Sequence, residues 1–277
     1  MGNDAFAEDH GTTRLIRLNR PDKGNGMAGT LLRDLIELAE DAAAKDELRA
    51  VVTTGAGKAY SVGADFGELS MIGDGDLVDV VNSGRVGGEP TMLAQSRQQR
   101  DLDSMGIGRW TMRFWSIDKP TIAAINGGAG GGGFALALLH DFRIMSSSAR
   151  MTPAFGRLGL GPEMGTGWLL PRIVGRQRAR DLLYRCPIIT AAEALDYGLV
   201  DEVVEPERLE ARALEYAAEL SVHPPLGVRA TKRLLNVSDD MPLDRYLERE
   251  WTSQLRLFGA PDTLAAFEAT SRAIRGT

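Results

Sequence analysis

Six of the seven residues from Gly127 to Gly133 are glycine, set between TIAAIN at 121–126 and FALALLHD at 134–141. The first flank reads as a buried strand and the second as a helix. Such a segment brings a strand, a stretch of almost bare backbone and a helix start to one place. Bare backbone lets a ligand or another chain segment approach closely. The first N–H groups of the helix have no partner inside it, and the helix dipole adds positive potential there.

Gly128-Ala-Gly130-Gly-Gly-Gly133 literally matches the G-x-G-x-x-G of dinucleotide-binding turns. In nearly pure glycine that spacing carries little information. The next acids, Asp141 and Glu163, do not stand about 20 residues on at the end of a clear second strand, as a ribose ligand would. No Gly-Lys-Ser/Thr follows, so a Walker A loop is excluded. A pocket for a carbonyl oxygen that turns negative during a reaction fits better. One backbone donor is seldom enough for that. Gly63-Ala64-Asp65, which follows AVVTTGAGKAYS at 50–61, is placed to supply a second. Both glycine groups could equally be tight turns with no ligand.

Around this centre the chain reads as α/β. TTRLIRLN at 12–19 predicts a first strand, stopped by Arg20-Pro21-Asp22-Lys23. Leu31, Leu35, Leu38 and Ala42 recur at helical spacing within 30–45, and AVVTTGAG from residue 50 is a second strand. Strand, helix, strand in that order suggests a right-handed crossover unit. Residues 72–92 are loop-like at both ends, 93–116 reads as helix, and FRIMSS from 142 is another strand. Beyond about residue 178 helical patterns dominate, with a break at Gly259–Pro261 in the last one. The expected division is an α/β core over 1–200 and a helical region over 201–277, packed on the core or on a neighbouring subunit.

Composition narrows the function class. With 277 residues, one large domain or one with an appendage is expected. A net charge of −6 provides no surface-wide basic field for nucleic acid. Cys186 is alone, so no intramolecular disulfide or Cys-rich zinc site can form, and before Pro187 it reads as a buried apolar side chain. His10, His140 and His223 are too scattered for metal-ligand spacing, so no metal is expected. The N-terminus has no secretory pattern, and no apolar stretch reaches the roughly 20 residues of a bilayer span. A cytoplasmic protein without membrane insertion is the expectation.

Five segments together carry a resemblance: LNRPDKGN at 18–25, VVTTGAGKAYSVGADFGEL at 51–69, DKPTIAAINGGAGGGGFALALLHDFRI at 118–144, GLGPEMGTGWLLPRIVG at 159–175 and TAAEALDYGLVDEVV at 190–204. In order and spacing they resemble the enoyl-CoA hydratase/isomerase (crotonase) superfamily. The resemblance implies a spiral of ββα turns with a helical C-terminal region, assembled as a homotrimer or hexamer. It implies an acyl-CoA substrate, with coenzyme A entering as part of that substrate and no permanently bound cofactor. It also implies that the backbone N–H groups of Ala64 and Gly132 hold the thioester carbonyl as an enolate forms.

The carboxylates depart from the family's pattern. Family hydratases carry two glutamates, and the matching positions here are Ala135 and Phe155. Neither can carry a proton, which puts two-glutamate hydration in doubt. Glu163, in GPEMG, stands where several family isomerases place their working acid. A lone carboxylate there could shift a double bond from 3-enoyl-CoA to 2-enoyl-CoA, provided that apolar neighbours such as Met164, Trp168 and Leu169 raise its pKa. Alternatively Glu163 serves the start of the following helix. The other readings are a hydratase with displaced carboxylates, another enolate reaction, a non-catalytic acyl-CoA-binding protein and, outside the family, a nicotinamide-dependent dehydrogenase.

Other residues have supporting expectations. Asp65 fixes the turn that presents Ala64, with Tyr60 and Ser61 shaping the same loop. Arg20, Lys23 and Lys58 are candidates for the coenzyme A phosphates, with Arg272 and Arg275 as further cations. His140 beside Asp141 invites a dyad, but adjacent helix residues do not face each other. Glu68, Glu89 and Asp118 are alternative acids. Met71, Met92, Leu93, Met105, Trp110 and Phe114 form either an acyl-pocket wall or ordinary helix core.

Overall fold

The strand expected at 12–19 is present at Thr13–Leu18, but the chain enters its sheet one strand earlier. Ala5–His10 (β1) pairs antiparallel with Thr13–Leu18 (β2) across a turn at Gly11. AFAEDH shows no apolar alternation because β1 is an edge whose second half faces solvent. Charges on such an edge also discourage pairing with other chains. The computed structural model describes residues 3–65, the two-residue strands 85–86 and 89–90, and 105–275.

The amphipathic stretch after Thr30 forms Leu31–Ala44 (α1) and leads to Ala50–Gly55 (β3). β3 lies parallel to β2, with Thr13 opposite Ala50 and Leu18 opposite Gly55. Ala59–Ser61 (β4) follows, then the short pair Arg85–Val86 (β5) and Glu89–Pro90 (β6). Of the helix expected over 93–116, Gly108–Trp115 (α2) is described. Next come Thr121–Ile125 (β7), Gly128–Gly130 (β8), Gly132–Leu138 (α3), Phe142–Ser146 (β9) and Arg150–Thr152 (β10). Thr166–Arg185 (α4) bends where Gly175 takes a φ of +77°. Ile189–Thr190 (β11), Ala191–Asp196 (α5) and Glu202–Val204 (β12) precede four helices: Leu209–Leu220 (α6), Pro225–Leu235 (α7), Leu243–Phe258 (α8) and Pro261–Arg275 (α9).

The larger sheet runs β1-β2-β3-β7-β9-β12 and the smaller β11-β10-β8-β4. Each of β3, β7 and β9 in the first sheet hands the chain to a strand of the second, the winding that the resemblance implies. The central strands are apolar on both faces because both are covered. On one face Ile16, Leu18, Val51, Ala123 and Ile125 meet Leu35, Ile36 and Ala39 of α1. On the other, Leu15, Val52, Ile122, Ala124 and Ile144 meet Leu209, Ala213 and Ala217 of α6.

That second face also receives elements from beyond residue 200. β12 still pairs with β9, and α6 still covers the sheet. Beyond them, α8 and α9 bury none of their residues. No helix among the described residues is long and apolar enough to cross a membrane.

Candidate active site

β4 and β8 are parallel neighbours, with Ser61 opposite Ala129. The segment after β4 and the start of α3 after β8 therefore emerge side by side. Their contact requires glycine. A Cβ on Gly133 would stand 1.9 Å from the Ser61 carbonyl oxygen, and one on Gly63 (φ +86°) would stand 2.6 Å from the Gly130 oxygen and 2.7 Å from the Gly132 nitrogen. The glycine run is thus, in part, the docking strip for β4. Gly132 remains at the front with its N–H at the helix start, where α3 supplies no acceptor. Neither Ala64 N–H nor Gly132 N–H donates to an acceptor among the described residues.

The loop bearing Ala64 is fixed by partners that only the structure reveals. Met27 N–H donates to the Gly63 oxygen (2.7 Å), and Val62 N–H to the Gly24 oxygen (3.0 Å). Ser61 Oγ donates to the Asn25 oxygen (2.8 Å) and accepts from Gly63 N–H (3.3 Å). Asn25 is buried with a φ of +54°, and its amide nitrogen donates to the Ala56 and Ala59 oxygens. Asn tolerates that left-handed backbone better than most residues, so an Asn closing the PDKGN turn was the available signal. Asp65 faces Arg20 Nη2 at 3.3 Å, and Arg20 Nη1 donates to the Gly26 oxygen (2.7 Å). Arg20 is therefore a largely buried strut under the loop. Lys23 and Lys58 are exposed.

Glu163 stands just before two consecutive left-handed residues, Met164 (φ +51°) and Gly165 (φ +79°), closed by Thr166 N–H donating to the Glu163 oxygen (3.0 Å). Two positive φ values in a row give the type I′ sense, and the non-glycine one costs about 1 kcal/mol. Burial of Met164 in the core holds it in place. Met164, Leu169 and Leu170 share that core with Phe134, Ala135 and Leu136 of α3, so the start of α4 packs on the helix that presents Gly132. The cap of α4 is Gly165, and no side chain makes a capping bond there. As a whole residue Glu163 is exposed, yet desolvation around its carboxyl pushes its pKa above the usual glutamate value. The upward direction follows because loss of water around a carboxyl disfavours its charged form. No ion pair or hydrogen bond to this carboxyl is present among the described residues.

The remaining candidates separate. Ala135 and Phe155, expected at the positions of the family's hydratase glutamates, are buried apolar residues. His140 is buried and neutral, its pKa pushed down to about 3 by burial, and it faces Thr53 rather than Asp141. Asp141 instead pairs with Lys232 and accepts from Thr121. Asp118 pairs with Arg229 and Arg233, which removes it from the list of alternative acids. Trp110 and Phe114 are core, stacked 5.5 Å apart, while Met105 is exposed. Trp168 is exposed, under the Arg172 guanidinium (3.7 Å). A cavity of about 530 Å³ lies beside it, lined by Trp115, Trp168, Lys232 and Arg233, and touches none of Ala64, Gly132 or Glu163. Glu68, Met71, Met92, Leu93 and the Glu89 side chain lie outside the described residues. Arg272 pairs with Glu268 at 3.7 Å on α9, and Arg275 is exposed.

The family model for enoyl-CoA hydratase/isomerase matches residues 8–76 and 87–266. The chain belongs to the enoyl-CoA hydratase/isomerase family. It is 30% identical over 239 residues to the 1,2-epoxyphenylacetyl-CoA isomerase of Escherichia coli, covering 85% of this chain and 82% of that one. It is 30% identical over 268 residues to the short-chain-enoyl-CoA hydratase of Clostridium acetobutylicum, covering 96% and 94%. The crystal structure of a putative enoyl-CoA hydratase from Thermobifida fusca in complex with CoA superposes with a TM-score of 0.76 at 31% identity, over 91% of this chain and 92% of that one. The protein is thus an acyl-CoA enzyme of this family.

Proposed function

We propose that the enzyme shifts the double bond of a 3-enoyl-CoA to give the 2-enoyl-CoA, with Glu163 as the single acid/base. The N–H groups of Ala64 and Gly132 donate to the thioester oxygen. The carboxylate takes a proton from C2, the electron pair spreads into the thioester and the C3–C4 bond, and the same carboxyl returns the proton to C4. The C2–C3 double bond forms as the C3–C4 double bond is lost. Fixed donors make this possible because a thioester α-proton is otherwise too weakly acidic. The observation that carries the reading is the place of Glu163: the turn that bears it packs through Met164 on α3, the helix that begins at Gly132, and its carboxyl has no ion-pair or hydrogen-bond partner among the described residues, while Ala135 and Phe155 are buried and apolar. A raised pKa keeps the group able both to take and to return the proton near neutrality.

Coenzyme A, which the Thermobifida fusca relative holds, would meet Lys23 and Lys58 with its phosphates. Arg20 would act from beneath, through Asp65. We further propose a homotrimer or hexamer. Leu243, Leu247, Trp251 and Leu255 repeat every four residues on α8, all exposed in the single chain, and an apolar stripe of that size marks an interface. The setting proposed is cytoplasmic.

Hydration of a 2-enoyl-CoA is the second reading, favoured by the name of the Clostridium acetobutylicum relative. Offering the enzyme 3-hexenoyl-CoA and 2-hexenoyl-CoA separately decides between them. Isomerisation predicts conversion of the first and no water addition to the second. The reverse pattern supports hydration, and binding without conversion of either supports a non-catalytic acyl-CoA-binding protein.

A further inference from the structure

Behind the proposed oxyanion donors lies a hydrogen-bonded bridge that the chemistry above does not use. Thr53 Oγ1 stands 2.8 Å from Tyr60 Oη and 2.8 Å from His140 Nε2, and His140 Nδ1 stands 2.8 Å from the Leu136 oxygen. All three side chains are buried. The direction of each bond follows by elimination. A carbonyl only accepts, so Nδ1 carries the proton of the neutral imidazole and Nε2 accepts. Thr53 therefore donates to His140, and Tyr60 donates to Thr53. The Tyr60 and Thr53 hydroxyls and the imidazole N–H each have one acceptor. Phe114 packs on the imidazole at 4.9 Å, which fixes the plane of the ring.

The bridge joins three elements. Thr53 belongs to β3. Tyr60 belongs to β4, one residue before Ser61, whose hydroxyl anchors Gly63 N–H. His140 follows α3, the helix that begins at Gly132. At the front, β4 and α3 touch where Gly133 meets the Ser61 oxygen. At the back, they are tied through Thr53. Contact at two points fixes the orientation of a strand against a helix, whereas one contact leaves a pivot. A tilt about the front contact would change the spacing of residues 64 and 132.

We infer that Thr53, Tyr60 and His140 are positioning residues that set the separation of the Ala64 and Gly132 backbone donors. The inference rests on the oxyanion reading of those donors. It assigns the three side chains no contact with substrate and no proton transfer. Their effect reaches the reaction through the geometry of two N–H groups, and electrostatic stabilisation of this kind depends on that geometry.

The test compares wild type with Thr53→Val, Thr53→Ser and Tyr60→Phe. Hexanoyl-CoA, saturated and so inert to double-bond migration, is labelled at its thioester carbonyl, and the infrared stretch of that carbonyl is read free and bound. Wild type should shift the stretch to lower frequency. Thr53→Val should lose most of that shift and lower kcat about tenfold with KM nearly unchanged, since small misplacements of catalytic groups cost rate. Thr53→Ser, which keeps the hydroxyl, should restore both. Tyr60→Phe should fall between, because Thr53 still reaches His140. Unchanged shift and kcat in Thr53→Val and Tyr60→Phe, with only a lowered Tm, would make the bridge merely structural and overturn the inference. Should Thr53→Val fail to fold, Tyr60→Phe decides alone. Absence of any shift in wild type would instead remove the oxyanion reading, and the inference with it.

Discussion

Gly63 and Gly132 are in backbone contact: a Cβ added to Gly63 would fall 2.7 Å from the Gly132 nitrogen. A Cβ added to Gly132 would meet only Met27 Sδ at that distance, with the Gly63 Cα at 3.5 Å. The two glycines are therefore unequal. Gly63→Ala forces a left-handed φ on alanine at about 1 kcal/mol and drives backbone against backbone. It should cost about 100-fold in kcat, the scale of losing one oxyanion donor. Gly132→Ala keeps its N–H and displaces a flexible methionine, so it should retain more than about a tenth of wild-type kcat. Steady-state kinetics on 3-hexenoyl-CoA checks both, and equal losses would remove the distinction.

The raised pKa of Glu163 has a sign in stability as well as in rate. Its folded pKa lies above its unfolded value, so its contribution to stability is present below the unfolded pKa. That contribution is lost as pH rises through the folded pKa. Glu163→Gln should therefore melt higher than wild type near pH 7, with the difference shrinking as pH falls and gone by about pH 3, below the usual glutamate range. In rate, the base form is needed first, so kcat/KM should fall as acid protonates Glu163, with a midpoint above the ordinary glutamate value. A Tm difference independent of pH would contradict the desolvated carboxyl.

His140 predicts acid sensitivity of the opposite kind. Burial pushes its pKa down to about 3 from an ordinary 6.5. Unfolded chains take up a proton as pH falls below 6.5 while the folded protein does not, so stability is present above that value and drains away toward pH 3. Two-dimensional NMR should show one imidazole that does not titrate between about pH 5 and 8.

The apolar stripe on α8 predicts an assembly. Trp251→Glu places a charge among Leu247, Leu255 and Phe258 on the exposed stripe. Sedimentation should show wild type as a trimer or hexamer and the variant largely as monomer. A monomeric wild type would remove the interface.

Part of this was legible in the residues because Ala50–Gly55 and Thr121–Ile125 are apolar or β-branched runs with glycine or proline at an end. Thr13–Leu18 and Phe142–Ser146 carry arginines and show only a partial apolar pattern. β1 was not legible, because an edge strand needs no apolar face. The sheet-covering role of α6 was also hidden, since Leu209, Ala213 and Ala217 make a narrow stripe that looks like any helix. At the proposed site, Ala64, Gly132 and Glu163 come from the motifs that carry the family resemblance. What holds them does not: Arg20 to Asp65 and Ser61 to Asn25 are contacts across tens of residues, and Met164 gives no outward sign that its backbone is left-handed. Arg20 shows the limit most clearly, since a surface-looking Arg-Pro-Asp-Lys turn hides a guanidinium that is turned inward.

The central claim is that one carboxyl moves the proton, and Glu163→Gln tests it most directly. Glutamine keeps the shape and removes the base. Turnover of 3-hexenoyl-CoA should fall by at least about 100-fold, the lower range of what a positioned acid/base contributes, while the Kd for hexanoyl-CoA stays within about threefold of wild type, a change of well under 1 kcal/mol. A Glu163→Gln enzyme that still isomerises at a rate near wild type would contradict the account.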